Sequence, residues 1–156
     1  MLDWRLKKRL TVDAQHTSLP SVVADFIEAL ADEVGLTSRQ AYWLRLATDE
    51  ITTNIAQHGY RGETGIVDLS AAIEHDRLRV SIEDDAPPFD PACYDPEPRL
   101  ALPPGQREEG GYGLLLAMGK VDEFHYEYVG GRNRNTLIMR LLGGSNAHGP
   151  GGRRTG

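Results

Sequence analysis

Apolar and polar positions along this chain recur with a period that predicts two amphipathic helices near the N-terminus. Ser18 precedes apolar residues at helical spacing that continue to Gly35, which predicts a capped first helix. Thr37 or Ser38 can cap a second helix, whose apolar stripe ends at Gly59. The apolar positions of the two helices are Val22, Val23, Phe26, Ile27 and Leu30, and Trp43, Leu44, Ala47, Ile51 and Ile55. Each helix therefore has one face to bury.

Shorter runs rich in apolar and β-branched residues predict strands over 5–12, 66–73, 78–82, 123–129 and 136–142. The second and third runs predict an antiparallel hairpin, and residues 130–133 join the last two. Because the strands do not alternate with helices, the pattern predicts an α+β fold. We expect a two-layer α/β sandwich with a mixed, mostly antiparallel sheet and helices on one face.

A long segment without apolar periodicity interrupts this pattern between residues 84 and 113, where prolines and charges are frequent. A long irregular segment inside a compact domain is more often a functional lid or binding loop than a passive connection. A short helix over residues 114–118 follows it directly from the glycine run 110–113. We expect one domain over residues 1–142, and a polar, glycine-rich and disordered tail over residues 143–156.

Composition and charge narrow the classes of function. The formal net charge of −6 over 156 residues gives no basic field for a nucleic acid or an anionic membrane. The single Cys93 cannot form an internal disulfide, which fits a reducing compartment. No run approaches the roughly 18 apolar residues of a membrane span, and the basic N-terminal segment has no apolar signal core after it. We therefore expect a cytoplasmic protein with neither a nucleic-acid nor a membrane partner.

Three polar residues follow one side of the second predicted helix at four-residue steps: Glu50, Asn54 and His58. A carboxylate, a carboxamide and an imidazole in this arrangement could serve as a general base, an oxygen ligand for Mg²⁺ and a polar group at the helix end. Taken alone, the same triplet is typical of a solvated helix face. Its meaning depends on a second site in the same cleft.

The glycine run 110–113 opens into an apolar helix and is a candidate anion site. Glycines let a ligand approach the backbone closely, and the free amides of a helix N-terminus favour a phosphate. The alternative is a hinge or tight turn before a helix. The Rossmann pattern would need a glycine at Leu116, and Gly119-Lys120 lacks the upstream glycine and the following Ser or Thr of a P-loop.

A third candidate lies at the end of the predicted strand over residues 78–82. Asp84 could accept a hydrogen bond from an exocyclic amine, and the stiff segment Pro87-Pro88-Phe89 could form an apolar wall beside it. The alternative is the acidic, proline-rich start of a loop.

Taken in order, the three segments resemble the GHKL ATPase superfamily, which has the Bergerat nucleotide-binding fold, and within it the anti-sigma-factor serine kinases. The segment ATDEITTNIAQHGY is similar to the N-box of that family, and VSIEDDAPPFDP is similar to its adenine loop. The segment GGYGLLLAMGKVDEFHYEYVGGRNRNTLIMRL is similar to its glycine loop and two closing strands. The resemblance covers the chain from the first helix to residue 142.

The resemblance implies that the chain binds ATP and Mg²⁺. It assigns Glu50 as the catalytic residue that accepts a hydroxyl proton and Asn54 as the ligand of Mg²⁺, with the phosphates completing the metal site. It assigns Asp84 as the residue that reads adenine, and Thr136 as its support. Ala86 stands where the adenine loop of the family usually has glycine, so its Cβ is expected to restrict the approach of the nucleotide.

The resemblance also places the phosphate loop at Gly111, Gly113 and the Leu114 amide, and an ATP lid over about residues 90–109. Glu108 and Glu109 put negative charge just before the phosphate loop, where phosphoryl transfer favours the opposite sign. Nucleotide binding is therefore expected more firmly than turnover.

The implied function is an ATP-dependent serine/threonine protein kinase of the anti-sigma-factor type. The expected partners are an anti-sigma-factor antagonist of the STAS-like kind, as substrate, and a sigma factor, and a homodimer is expected to be possible. One alternative is an ATP-binding regulatory module with little or no phosphoryl transfer, motivated by Ala86 and the acidic pair. The catalytic half of a sensor histidine kinase and a purely structural interaction domain are the remaining alternatives.

Overall fold

The computed structural model describes residues 4–90 and 111–142, and of their side chains those at 7–90, 114 and 116–142. The expected lid from residue 91 onward and the expected tail lie outside the described residues. The helices and strands, in chain order, are β1 (Trp4–Asp13), α1 (Leu19–Val34), α2 (Ser38–Asn54), β2 (Ile66–Glu74), β3 (Arg77–Asp84), α3 (Gly111–Met118), β4 (Glu123–Val129) and β5 (Arg132–Arg140). A single π-helical turn, Ile55–Gly59, extends α2.

The five strands form one sheet in the order β1-β2-β3-β5-β4. The α+β fold class is confirmed, with helices packed on the sheet as expected. Within the described residues all four strand pairings are antiparallel, whereas a mixed, mostly antiparallel sheet was expected. Each connection between paired strands returns the chain in the opposite direction, so no parallel crossover arises there.

The two long helices begin and end close to the predicted residues. Thr37 is the cap of α2, because its hydroxyl accepts from the Gln40 amide at 3.1 Å while the Gln40 side chain accepts from the Thr37 amide at 3.0 Å. Ser18 stands at the cap position of α1, but its side chain makes no capping hydrogen bond. Its backbone N–H instead donates to His16 Nδ1 at 3.0 Å.

The core lies between the helices and one face of the sheet. Alternate strand residues point to opposite faces, so Val67, Val80 and Leu137 meet the apolar stripes of the helices, where Ile27 and Ile51 are fully buried. Burying each such side chain contributes about 1.5–3 kcal/mol relative to leaving it exposed. None of the helices described here is both long and apolar enough to cross a membrane.

The last hairpin differs from its predicted boundaries. Gly130 and Gly131 have φ of 63° and 77°, so two residues suffice for the turn, and Val129 pairs directly with Arg132. Strand β5 therefore begins four residues earlier than predicted and includes the polar segment 132–135. This segment looked like a loop because its residues are polar, but the side chains of Arg132, Asn133 and Arg134 contact other polar groups on both faces of the sheet.

Candidate functional site

The end of α2 is shaped by the π-helical turn that follows Asn54. The Tyr60 amide donates to the Ile55 carbonyl at 2.8 Å across this wider turn, and Gly59 lies buried beneath the loop that follows β3. A Cβ built on Gly59 would lie 3.1 Å from the Cβ of Ala86. The turn thus brings the end of α2 into close contact with the loop after Asp84.

Tyr60 links the end of α2 to β2 and to the loop after β3 through its hydroxyl group. Its hydroxyl donates to the Ile66 carbonyl at 2.7 Å and accepts from the Asp85 amide at 2.8 Å. Burial raises the pKa of Tyr60, with the Asp85 amide opposing the shift. A Cβ on Gly65 would lie 2.2 Å from the Tyr60 ring, so only glycine leaves room for the ring there. The tyrosine fixes β2 and the loop after β3 against the end of α2.

A small cavity lies between the end of α2 and the carboxyl end of β3. Its lining residues are Ile51, Asn54, Ile55, Gly59, Asp84, Phe89, Asn133 and Asn135. Its volume of about 10 Å³ holds roughly one water molecule. Phe89 and Asn54 are the partly exposed members of the lining and form its rim.

Asp84 is the most buried acid in the described part of the chain, with 1% of its surface exposed. Its Oδ1 accepts from the Ala86 amide at 2.9 Å and from Asn133 Nδ2 at 2.9 Å. Burial raises the pKa of Asp84, and these two hydrogen bonds oppose the shift without cancelling it. Both hydrogen bonds from described residues go to Oδ1, and Asp84 lines the cavity.

Asn133 holds the loop that follows Asp84. Besides its bond to Asp84, its Nδ2 donates to the Ala86 carbonyl at 2.9 Å and to the Pro87 carbonyl at 3.1 Å. Its Oδ1 accepts from the Phe89 amide at 3.0 Å and from the Tyr126 hydroxyl. One buried amide thus satisfies groups of the loop from Asp84 to Phe89, which sets the position of Phe89 at the rim.

Asn135, two residues further along β5, lies on the same face as Asn133 and lines the cavity. Thr136 does not: it pairs with Ser81 across the β3–β5 ladder, and its side chain points to the face that the helices leave uncovered. The structure therefore does not place Thr136 where it could support Asp84, as the resemblance had implied. Asn133 and Asn135 occupy that side of the sheet instead.

Ala86 was expected to restrict the approach of a nucleotide. Its side chain is buried, but it is not among the residues that line the cavity, and its Cβ faces the backbone of Gly59. The methyl group fills space that a glycine leaves free on the neighbouring turn. Ala86 thus packs the loop against α2, outside the lining of this cavity.

Glu50 and His58 lie four residues before and four residues after Asn54, in α2 and in the π-helical turn that extends it. Glu50 lies one turn before Asn54, is half-buried, and has one carboxylate oxygen fully buried. It is outside the lining of the cavity. His58 is exposed, and its ring centroid lies 6.4 Å from that of Phe89. Of the predicted triplet, the structure brings only Asn54 to the cavity.

The glycine segment forms the start of a helix and not a loop before one. Gly111 and Gly113 lie in the first turn of α3, and the Leu114 side chain is buried in the core against α2. The first four amides of a helix have no partner within it, so the amides of these residues are available to an anion. Because its side chain is buried, Leu114 can bind a phosphate only through its backbone amide.

The residue types present suit a polar ligand better than a metal ion held by protein alone. Among the described residues, no group of three or more His, Cys, Asp or Glu side chains is placed to hold a metal ion. A cation near Asn54 would need the oxygens of a bound phosphate to complete its coordination. At the other end, buried polar groups of Asp84 and Asn135 face the cavity, as a polar heterocycle requires.

Comparison with known proteins agrees with this arrangement. The histidine kinase-like ATPase domain family matches residues 12–141, which is most of the chain. The chain therefore belongs to this family of GHKL ATPases, and its resemblance to the anti-sigma-factor kinases is confirmed.

Among individual relatives, the chain is 29% identical over 114 residues to the serine-protein kinase RsbW of Bacillus licheniformis, covering 67% of this chain and 68% of that protein. It is 21% identical over 140 residues to the anti-sigma F factor of Clostridium acetobutylicum, covering 90% and 95%. A solved structure of RsbU and RsbW domains from Mycobacterium tuberculosis aligns with a TM-score of 0.60 at 22% identity. That alignment covers 87% of this chain and 32% of the solved chain, and it shows the same fold.

Proposed function

We propose that this chain binds ATP with Mg²⁺ and transfers the γ-phosphoryl group to a serine or threonine of a partner protein. The single observation that carries the proposal is the convergence of Asn54 and Asp84, thirty positions apart in the sequence, on one cavity beside buried amides. The names of its relatives, serine-protein kinase and anti-sigma factor, support the same activity.

The base-binding end of the proposed site is the cavity at Asp84. The carboxylate, fixed through Oδ1 by the Ala86 amide and Asn133, presents Oδ2 to the exocyclic amine of adenine. Ile51 and Ile55 supply the apolar wall beside the ring. Because the carboxylate is held by two hydrogen bonds before the ligand arrives, little orientation entropy is lost on binding.

The phosphate-binding end is proposed at Asn54, Glu50 and the start of α3. The amides at Gly111, Gly113 and Leu114 would hold phosphate oxygens, and Asn54 Oδ1 would hold Mg²⁺ together with those oxygens. When bound, the metal supplies charge neutralisation on the phosphates. These residues lie on two helices that pack against one another, which fixes their separation.

The proposed chemical step uses Glu50 as general base. The hydroxyl oxygen of the substrate serine or threonine forms a bond to the γ-phosphorus while the bond from that phosphorus to the β–γ bridging oxygen breaks. ADP leaves with the electron pair, and the Glu50 carboxylate accepts the hydroxyl proton. One carboxylate oxygen of Glu50 is buried, so part of the proposed base is shielded from solvent.

The proposed partners are an anti-sigma-factor antagonist as the phosphorylated substrate and a sigma factor as the regulated protein. The support is the likeness to RsbW and to an anti-sigma F factor. The net charge of −6 is consistent with protein partners and not with DNA.

Two measurements test the proposal. Mg-ATP should raise the melting temperature of the purified protein, because a ligand that binds only the folded state stabilises it. With γ-labelled ATP and the candidate antagonist, Glu50→Gln should abolish labelling of serine or threonine while leaving the thermal shift within about 1 °C of wild type.

The neighbouring half-buried carboxylate provides the matched control: Asp49→Asn should retain labelling. Labelling that persists in Glu50→Gln and disappears in Asp49→Asn would reassign the base. A thermal shift without any labelling would favour the regulatory module, in which nucleotide occupancy alone changes affinity for the partner.

A further inference from the structure

Asn135 presents a buried acceptor that no described residue satisfies. The side chain is 1% exposed, and among the described residues its Oδ1 has no hydrogen-bond partner. Leaving such a group buried and unsatisfied costs roughly 1–3 kcal/mol. Buried polar atoms without partners are rare in folded proteins, and Asn135 lines the cavity, so a donor that enters the cavity could satisfy its Oδ1.

A second acceptor lines the same cavity. Asn135 and Asp84 both line the cavity at the end of α2, on the helix-covered face of neighbouring strands. The Oδ1 of Asp84 is engaged by the protein, which leaves Oδ2 for a ligand. Two adjacent acceptors, one charged and one neutral, match a ligand group that carries two N–H bonds on one nitrogen.

We propose, on the basis of the ATP binding proposed above, that Asn135 accepts the second hydrogen of the adenine 6-amino group. Asp84 accepts the first. Asn135 thereby makes the site selective for 6-amino over 6-oxo purines. A 6-oxo purine places a carbonyl oxygen where Asn135 requires a donor, whereas its N1–H can still donate to the carboxylate of Asp84. Asp84 alone therefore discriminates poorly between 6-amino and 6-oxo purines, and Asn135 provides the selectivity.

The direct test compares ATP with inosine triphosphate, which differs from ATP only in the 6-oxo group and the N1–H. The Kd for each, with Mg²⁺, is measured by calorimetry in wild type and in Asn135→Ala. We expect the ratio of the Kd for inosine triphosphate to the Kd for ATP to fall by about tenfold in the variant, since one hydrogen bond and one unpaired carbonyl contact are removed. An unchanged ratio, with ATP still bound, would overturn the assignment.

A second variant tests whether the result with Asn135→Ala comes from a loss of structure. Asn135→Thr keeps a hydroxyl acceptor at the same position and should retain more of the discrimination than Asn135→Ala. The matched control is Thr136→Val, which removes a hydroxyl from the next residue, on the opposite face of the sheet. It should leave the ratio unchanged, and a ratio that falls equally in the control would show a general effect on the strand.

The melting temperature of the nucleotide-free protein distinguishes a role of Asn135 in binding from a role in the fold, because the two roles predict different changes. Asn135→Leu removes the unsatisfied acceptor, so the free protein should melt no lower than wild type while the thermal shift with ATP decreases. A lower melting temperature with an unchanged ATP shift would show that Asn135 only supports the fold. Wild-type protein that binds neither nucleotide would refute the ATP-binding proposal itself, which is a separate outcome.

Discussion

Asp68 and Asp84 lie on neighbouring strands of one sheet but face opposite sides of it. On the uncovered side, Asp68 accepts from the Thr11 hydroxyl at 2.6 Å and from Arg132 Nη2 at 2.9 Å. Burial alone would raise the pKa of Asp68, but these partners outweigh it and the pKa lies below its usual value. On the covered side, burial dominates and the pKa of Asp84 is raised.

The opposite pKa shifts of Asp68 and Asp84 reflect different surroundings on the two faces of the sheet. On the uncovered face, Arg132 contacts Asp68, Glu83 and Asp85 at 2.8–2.9 Å, so charges are paired with one another. On the covered face, the helices exclude solvent and Asp84 is held by neutral donors. A carboxylate on the first face stabilises the fold, whereas one on the second is less stable as an ion and gains from a ligand that donates to it.

The largest expected effect is on nucleotide binding through Asp84. Asp84→Asn keeps the shape of the side chain but can place an N–H group against the amine of adenine. We expect the affinity for Mg-ATP to fall about 100-fold, close to 2.7 kcal/mol, as measured by calorimetry. The control is Asp85→Asn, the next residue, which is exposed and bonded to Arg132, and should change the affinity no more than about twofold. Equal losses in both variants would contradict the division between the two faces.

Asn133→Ala should be the most destabilising of these substitutions. It removes the hydrogen bonds that hold the loop from Asp84 to Phe89 and leaves buried carbonyls unsatisfied. We expect a loss of about 2–3 kcal/mol in the free energy of unfolding, measured by urea denaturation at constant m-value. A loss below about 1 kcal/mol would mean that water replaces Asn133 in the loop.

The same substitution should have opposite effects on stability on the two faces. The raised pKa of Asp84 means that its ionised form is unfavourable in the folded state, so Asp84→Asn should make the free protein more stable than wild type at pH 7. This gain should shrink as the pH falls through the folded pKa toward the model-compound value of 3.8, because the wild-type carboxyl becomes protonated. Urea denaturation at pH 7, 5 and 4 measures the trend.

Asp68→Asn should show the reverse. Because the folded pKa of Asp68 lies below 3.8, its ionised form contributes stability at all higher pH, and the variant should be less stable than wild type at pH 7. The difference from wild type should vanish only as the pH falls below 3.8 through the lowered folded pKa. Stability changes of the same sign in both variants would refute the contrast.

The smallest effect is expected at Arg134 on the uncovered face. Its guanidinium contacts Glu83 at 3.0 Å and Glu127 at 3.2 Å, and 39% of the side chain is exposed. Solvent screens such pairs, so Arg134→Gln should lower stability by about 0.5 kcal/mol, and less in 1 M salt than in 0.1 M. Urea denaturation at the two salt concentrations measures it, and a salt-independent loss would indicate packing and not charge.

Much of the fold could be predicted because its signals are local. Helical spacing and the Thr37 cap located α2 to within a few residues, and the glycine pair at 130–131 indicated a turn. The predicted site residues Asn54 and Asp84 do line one cavity. Asn133, Asn135 and Tyr60 were missed, since polar residues after a glycine turn and a tyrosine after a helix have no periodic signature. A two-residue Gly-Gly turn was the available signal that β5 starts at Arg132.

By itself, the sequence determined the order of helices and strands and the three segments that resemble a nucleotide site, because periodicity, caps and motif spacing act over a few residues. Only the tertiary structure decided which strand residues face the cavity. Successive residues of a strand point to opposite faces of the sheet. This alternation, together with the strand register, places Asn135 at the cavity and Thr136 outside it. The packing of Ala86 against Gly59 likewise depends on a contact between residues 27 positions apart, which no local pattern encodes.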